Sequence, residues 1–180
     1  MNVFDQQQWI INQHRNTNHM YDTYLPYEFH LRMVANVADR FMDIFPWNTE
    51  DDCHFRNAIR IAAFGHDLIE DTRVSYNDVK AVLGIVAADI IYAVSNEKGK
   101  TRAERANDKY YEGIRNTPGA VFVKMADRIA NVQYSKMSGS RMFRMYQKEN
   151  AHFVKSLGFV EGVEHELAPM YNYLETLFQD

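Results

Sequence analysis

Residues 52–72 read DCHFRNAIRIAAFGHDLIEDT. Within this stretch Phe55, Ala58, Ile59, Ala62 and Ala63 recur at steps of three and four, the period of a helix with one apolar face. The same steps continue onto His66, so the spacing predicts a helix over about Asp52–Leu68 with His66 turned inward. Directly after the apolar face come four ionisable side chains in six residues: His66, Asp67, Glu70 and Asp71. Taking several carboxylates out of water without partners is strongly unfavourable, so such a cluster is exposed, paired with basic residues or bound to a metal. Ala62, Ala63, Phe64, Leu68 and Ile69 argue against exposure, and no Lys or Arg lies between Arg60 and Arg73. A cation resolves the conflict with the fewest assumptions.

The helical period extends on both sides of this stretch. From Tyr27 to Phe45, Met33, Val34, Val37, Ala38, Phe41, Ile44 and Phe45 form one stripe with His30 on it, and Pro26 is placed to start the helix. Ser75 followed by Asp78 predicts a capped helix running to Leu83, closed by Gly84. Further helices are expected over Val86–Val94, Ala120–Tyr134, Met142–Leu157 and Glu164–Phe178. The last would bury Leu167, Met170, Tyr171, Leu174, Leu177 and Phe178. Residues 95–107 are polar and rich in Lys and Arg, which suggests a mobile loop or the exposed start of a helix, and a candidate lid. Strand signals are scarce, there is no repeat, and Pro26, Pro46, Pro118 and Pro169 fall where the pattern starts or breaks. The fold class read from this pattern is all-α, a helical bundle.

At 180 residues with 46% apolar composition, the chain is expected to form one domain over residues 1–180 around one core. The net charge of −4 argues against a nucleic-acid polymer as partner, because phosphate-backbone binding relies on surplus Lys and Arg. Cys53 is the single cysteine and cannot pair within the chain. The start, MNVFDQQQWII, has neither a basic head nor a long apolar run, and no other window approaches a membrane span. The expected setting is the cytoplasm, with no membrane partner. Oligomeric state is not legible at this level.

Neighbours on a helix diverge by about 100°, so His66 and Asp67 can approach one ion from two sides but cannot complete its shell. His30 and Asp127, the latter within KMADRIAN at residues 124–131, are each polar on an otherwise apolar face. The candidate ligand set is therefore His30, His66, Asp67 and Asp127. Mixed nitrogen and oxygen donors suit Mn²⁺, Fe²⁺, Co²⁺, Zn²⁺ or Ni²⁺ better than Ca²⁺.

These residues carry a family resemblance. His30, His66-Asp67 and Asp127, in that order, resemble the H…HD…D signature of HD-domain phosphohydrolases. The match is closest to the hydrolase domains of RelA/SpoT-type proteins and their small alarmone hydrolase relatives. Pro26-Tyr27 before His30, HDLIEDT at residues 66–72 and ADRIAN at residues 126–131 carry it, and it covers about residues 12–157.

The resemblance implies a helical bundle of the HD-domain type and removal of 3′-pyrophosphate from guanosine tetra- or pentaphosphate, normally with Mn²⁺. It assigns Glu70 and Asp71 to orienting and deprotonating the attacking water, and Asn131, Lys98 and Tyr146 to contacts with the nucleotide. The chain departs from the pattern at three places. His19, Met20 and Tyr21 stand where relatives carry basic residues that pack on guanine and contact phosphates. Leu31 follows the first histidine where proline is usual, and Gly65 replaces a bulky apolar residue before the HD pair. Lys98, Lys100, Arg102, Arg105 and Lys109 alternate with Glu97, Glu104 and Asp108, a pattern that fits a solvated face as well as a phosphate clamp. Alternative readings are a nucleotidase or phosphodiesterase acting on another nucleotide, or a metal- and nucleotide-binding regulatory module without turnover. A di-iron oxygenase would need further ligands.

Overall fold

Helix α2 (Glu28–Phe41) lies at the centre of the molecule because its apolar face has two partners, α3 (Glu50–Phe64) and α9 (Ala120–Met137). Leu31, Val34, Val37 and Ala38 of α2 are buried against Ile59, Ala62 and Ala63 of α3 and Ala126, Ile129 and Ala130 of α9. Around this trio the computed structural model places α1 (Val3–Asn16), α4 (Leu68–Asp71), α5 (Tyr76–Leu83), α6 (Ile85–Val94), α7 (Arg102–Arg105), α8 (Asp108–Asn116), α10 (Met142–Ser156) and α11 (Ala168–Leu177). It describes residues 1–96, 99–160 and 162–179, with Arg102 and Ala103 as backbone only. Apart from a two-stranded antiparallel hairpin, β1 (Met20–Tyr21) with β2 (Leu25–Pro26), the regular structure is helical. No helix among the described residues is long and apolar enough to cross a membrane.

Local chemistry explains where the helices begin. Thr49 opens α3 with a capping box, its hydroxyl accepting from the Asp52 N–H while the Asp52 carboxylate accepts from the Thr49 N–H. Ser75 and Asp78 open α5 in the same way, as their spacing predicts. Gly84 closes α5 with φ 88°, a backbone that glycine adopts without steric cost.

The expected Asp52–Leu68 helix is corrected at a place that matters. The helix ends at Phe64, the chain turns through Gly65, His66 and Asp67, and α4 resumes at Leu68. Gly65 closes α3 through its N–H to the Ile61 carbonyl and receives the Leu68 N–H in return. A Cβ on Gly65 would lie 3.1 to 3.3 Å from Leu68, Ile10 and Ile91, so the missing side chain is what lets α1 and α6 close on this turn.

Other boundaries shift for similar reasons. Pro26 lies in β2 and Glu28 begins α2, because the hairpin claims the proline first. The Glu164–Phe178 helix is shortened to Ala168–Leu177, with Pro169 in its first turn, where a missing N–H costs nothing. Helices α1 and α8 are not anticipated from apolar spacing. Their mean polarity hides narrow buried stripes, Ile10, Ile11 and His14 in one and Tyr110, Tyr111 and Ile114 in the other.

Candidate metal centre and cavity

Four structural pieces meet at one point. The first turn of α2 supplies His30, the turn between α3 and α4 supplies His66 and Asp67, α4 supplies Glu70 and Asp71, and the middle of α9 supplies Asp127. His30 and His66 are buried to within 2% of full burial, and their Nε2 atoms stand 3.3 Å apart. Asp127 Oδ1 is 3.4 Å from the His30 Nε2 and 3.6 Å from that of His66. Asp67 Oδ2 lies 2.9 Å from His66 Nε2 and 3.7 Å from His30 Nε2. Two donors that share one ion at about 2.1 Å stand roughly 3.0–3.5 Å apart, so these spacings match a common cation. His30, His66 and Asp127 form one candidate set, each offering one ligand atom within 4.8 Å of the others. Asp67 joins from one side while also accepting from the Tyr27 hydroxyl.

The electrostatics point the same way. Burial alone would keep Asp67 and Asp127 neutral, but His66 in both cases, and Lys124 for Asp127, hold the two carboxyls well below the usual carboxylate range. Burial opposes a charge on His66, yet Asp67 and Asp127 raise its pKa well above 6.5. The two buried carboxylates thus favour positive charge where the histidine nitrogens meet. The His66 Nδ1 hydrogen-bonds the Ala63 carbonyl at 2.9 Å, which turns Nε2 toward the cluster, the arrangement ligating histidines need.

Next to this centre burial, reinforced by the charges of Asp67 and Glu70, pushes Asp71 up to about 7. Its Oδ2 is 3.4 Å from the Tyr27 hydroxyl and 3.8 Å from His19 Nε2. Glu70 is fixed differently, its two oxygens accepting from the Asn96 backbone N–H at 3.0 Å and side-chain amide at 2.7 Å. The whole group opens into a cavity of about 820 Å³ that continues past Lys124, Arg128 and Tyr146 toward Arg105 and His152. Arg128 packs over the rings of Tyr146 and Phe153.

The structure thus brings together His30, His66, Asp67 and Asp127, with Glu70 and Asp71 beside them and Asn131 and Tyr146 in the same wall. Lys98 lies outside the described residues. Asn131 is engaged inside the protein, its Nδ2 donating to Asp127 Oδ1 at 2.6 Å and its Oδ1 accepting from the Tyr21 hydroxyl at 3.0 Å. Three residues make contacts at the centre that the reading of the sequence does not assign. Tyr27 joins Asp67 to Asp71, Lys124 pairs with Asp127 Oδ2 at 3.3 Å, and Tyr21 stacks on His30. The available signal was Lys124 itself, a charge one turn before Asp127 on the same apolar face.

Comparison with known proteins yields no matching family model. The chain is 28% identical over 120 residues to a Danio rerio protein named guanosine-3′,5′-bis(diphosphate) 3′-pyrophosphohydrolase MESH1, a match spanning 67% of this chain and 61% of that protein. It is 22% identical over 172 residues to the Drosophila melanogaster protein of the same name, spanning 96% and 90%. A solved structure described as a metazoan ortholog of SpoT that hydrolyzes ppGpp and plays a role in starvation responses superposes with a TM-score of 0.68 at 20% identity. That match covers 96% of this chain and 93% of the other, and it establishes a shared fold. The relatives and the fold agree with the resemblance carried by the three motif blocks.

Proposed function

We propose that this chain, an HD-domain protein of the RelA/SpoT type, is a metal-dependent hydrolase that removes pyrophosphate from the 3′ position of guanosine tetra- or pentaphosphate. The observation that carries this reading is the convergence of His30, His66, Asp67 and Asp127 at the floor of a nucleotide-sized cavity, with Asp71 raised to about 7 beside them. The names of the relatives supply the substrate.

His30, His66, Asp67 and Asp127 would hold one divalent cation, with Mn²⁺ the first to try and Fe²⁺, Co²⁺, Zn²⁺ or Ni²⁺ as alternatives. When bound, the cation supplies Lewis-acid chemistry, lowering the pKa of water and drawing charge from phosphoryl oxygens. Asp71 takes the proton of the attacking water, a task that suits a carboxylate whose pKa lies near neutrality. Glu70, locked at both oxygens by Asn96, orients that water. Water adds across the ester that joins pyrophosphate to the 3′ oxygen. From the tetraphosphate, pyrophosphate and guanosine diphosphate leave. Lys124 and Arg128 place fixed positive charge in the cavity wall, where phosphate oxygens accumulate charge. Tyr146 offers a ring at the same wall, and Lys98 is a further phosphate contact on this reading. A nucleotide substrate and an unpaired Cys53 suit the cytoplasm.

A second reading within the same chemistry is hydrolysis of another nucleotide. It is favoured by His19, Met20 and Tyr21, which bring no permanent charge and of which His19 and Tyr21 are engaged with Tyr27 and His30. Mn²⁺-dependent hydrolysis of guanosine tetraphosphate by the wild type and by Asp67→Ala, with products separated by anion exchange, tests both. Pyrophosphate and guanosine diphosphate from the wild type alone are expected. An inactive wild type that still binds Mn²⁺ stoichiometrically would remove the alarmone as substrate and leave the second reading.

A further inference from the structure

We propose that Tyr21 is a positioning residue for the cation centre, acting with its ring on His30 and with its hydroxyl, through Asn131, on Asp127. The inference rests on the metal-dependent reading above.

The two histidines of the centre are held unequally. His66 has its Nδ1 pinned by the Ala63 carbonyl. His30 has a buried Nδ1 with no hydrogen-bond partner among the described residues. A ligating histidine normally has its second nitrogen tied to a carboxylate, carbonyl or water, which sets the plane of the ring. For His30 that plane is set by packing instead. The Tyr21 ring lies face to face with it, centroids 4.7 Å apart and planes within 7°. Tyr27 and His66 meet the imidazole at steep angles, 64° and 71°, and close off its remaining rotation.

The hydroxyl acts on the opposite side of the cluster. It donates to Asn131 Oδ1 at 3.0 Å, which commits the other end of the amide, Nδ2, to Asp127 Oδ1 at 2.6 Å. A flipped amide would turn an oxygen toward the carboxylate and repel it, so the Asp127 oxygens set the amide's sense and the phenol, by donating to its Oδ1, holds the amide in place against them. Oδ1 is the oxygen that faces both histidines, while Oδ2 is taken by Lys124. Tyr21 therefore restrains one ligand directly and a second through one intermediary.

The tyrosine is itself braced. It sits in β1, paired with Leu25 across the hairpin, and Tyr134 of α9 packs edge-on against it at 4.9 Å. The Tyr134 hydroxyl donates to Asp22 Oδ2 at 2.8 Å, tying the hairpin turn to the helix that carries Asp127. Asp22 holds φ 56°, a conformation in which Asp is among the few tolerated side chains.

The test is Mn²⁺ affinity by titration calorimetry on the full chain, with the visible spectrum of the Co²⁺-loaded protein as a reporter of ligand geometry. Tyr21→Phe keeps the stack and loses the hydrogen bond, so its Kd is expected to weaken about tenfold with a displaced Co²⁺ band. Tyr21→Leu loses both contacts and should weaken further. Because the hydroxyl works through Asn131, the Tyr21→Phe/Asn131→Ala double variant should bind no more weakly than Asn131→Ala alone. Wild-type affinity and spectrum in Tyr21→Phe overturn the proposal, as do additive losses in the double variant. If Tyr21→Leu fails to fold, those two variants decide. Absence of metal binding in the wild type would remove the metal-dependent reading, and the proposal with it.

Discussion

Replacing His14 should make the protein less sensitive to acid. His14 lies on α1, 1% exposed, stacked on Tyr27, with its Nδ1 3.2 Å from the Nδ1 of His19. Its Nε2 is buried without a hydrogen-bond partner among the described residues. Burial, reinforced by repulsion from His19, His66 and His30 and only partly offset by Asp67, lowers its pKa from 6.5 to about 4. Protonation is thus easier in the unfolded chain. The stability contributed by a neutral His14 is complete above pH 6.5, declines as the pH falls below that, and is exhausted near pH 4. The difference corresponds to about 3 kcal/mol, of which about 2 are already lost at pH 5. Urea unfolding in chelator at a series of pH values, on the wild type and on His14→Leu, reads this directly. The wild type should lose about 2 kcal/mol more than the variant between pH 7.5 and pH 5. Parallel curves for the two proteins would refute the assignment of a buried, neutral His14.

Further outcomes concern Asp71 and Arg56. Activity should fall as the pH drops through the pKa of Asp71, because the base must be ionised. A bound cation pulls that pKa below the metal-free value of about 7, so the acid limb is expected at or under neutrality. Asp71→Asn should lower kcat by roughly 10²–10⁴ and abolish that limb, which pH-rate profiles would check. Arg56 is 1% exposed, donates to the Phe45 carbonyl and lies over Trp47, so Arg56→Ala should destabilise by about 2–4 kcal/mol through an unsatisfied carbonyl and lost packing. Its ion-pair partner Asp43 is exposed, so Asp43→Asn should cost far less. Denaturation midpoints that ranked the two variants equally would contradict this.

The chain alone determined the helical class, the two ends of α5 and the set of candidate ligand residues. These features depend on short-range spacing, a period of 3.6 for the buried faces and a polar residue on an apolar stripe for His30, His66 and Asp127. Helices α1 and α8 escaped because each buries only a narrow stripe, and periodicity over a few residues cannot be separated from chance. The break after Phe64 escaped for a different reason. A continuous helix and a turn at Gly65 satisfy the same pattern, and the packing of Ile10 and Ile91 against that glycine is a tertiary contact that local spacing does not announce. Tertiary structure alone decided what holds the centre. Tyr21 lies 110 residues from Asn131, and Tyr27 lies 40 from Asp67 and 44 from Asp71. No local rule links positions so far apart. They meet because α2 buries one face between α3 and α9, and that packing places the hairpin before α2 against the helix that carries Asp127.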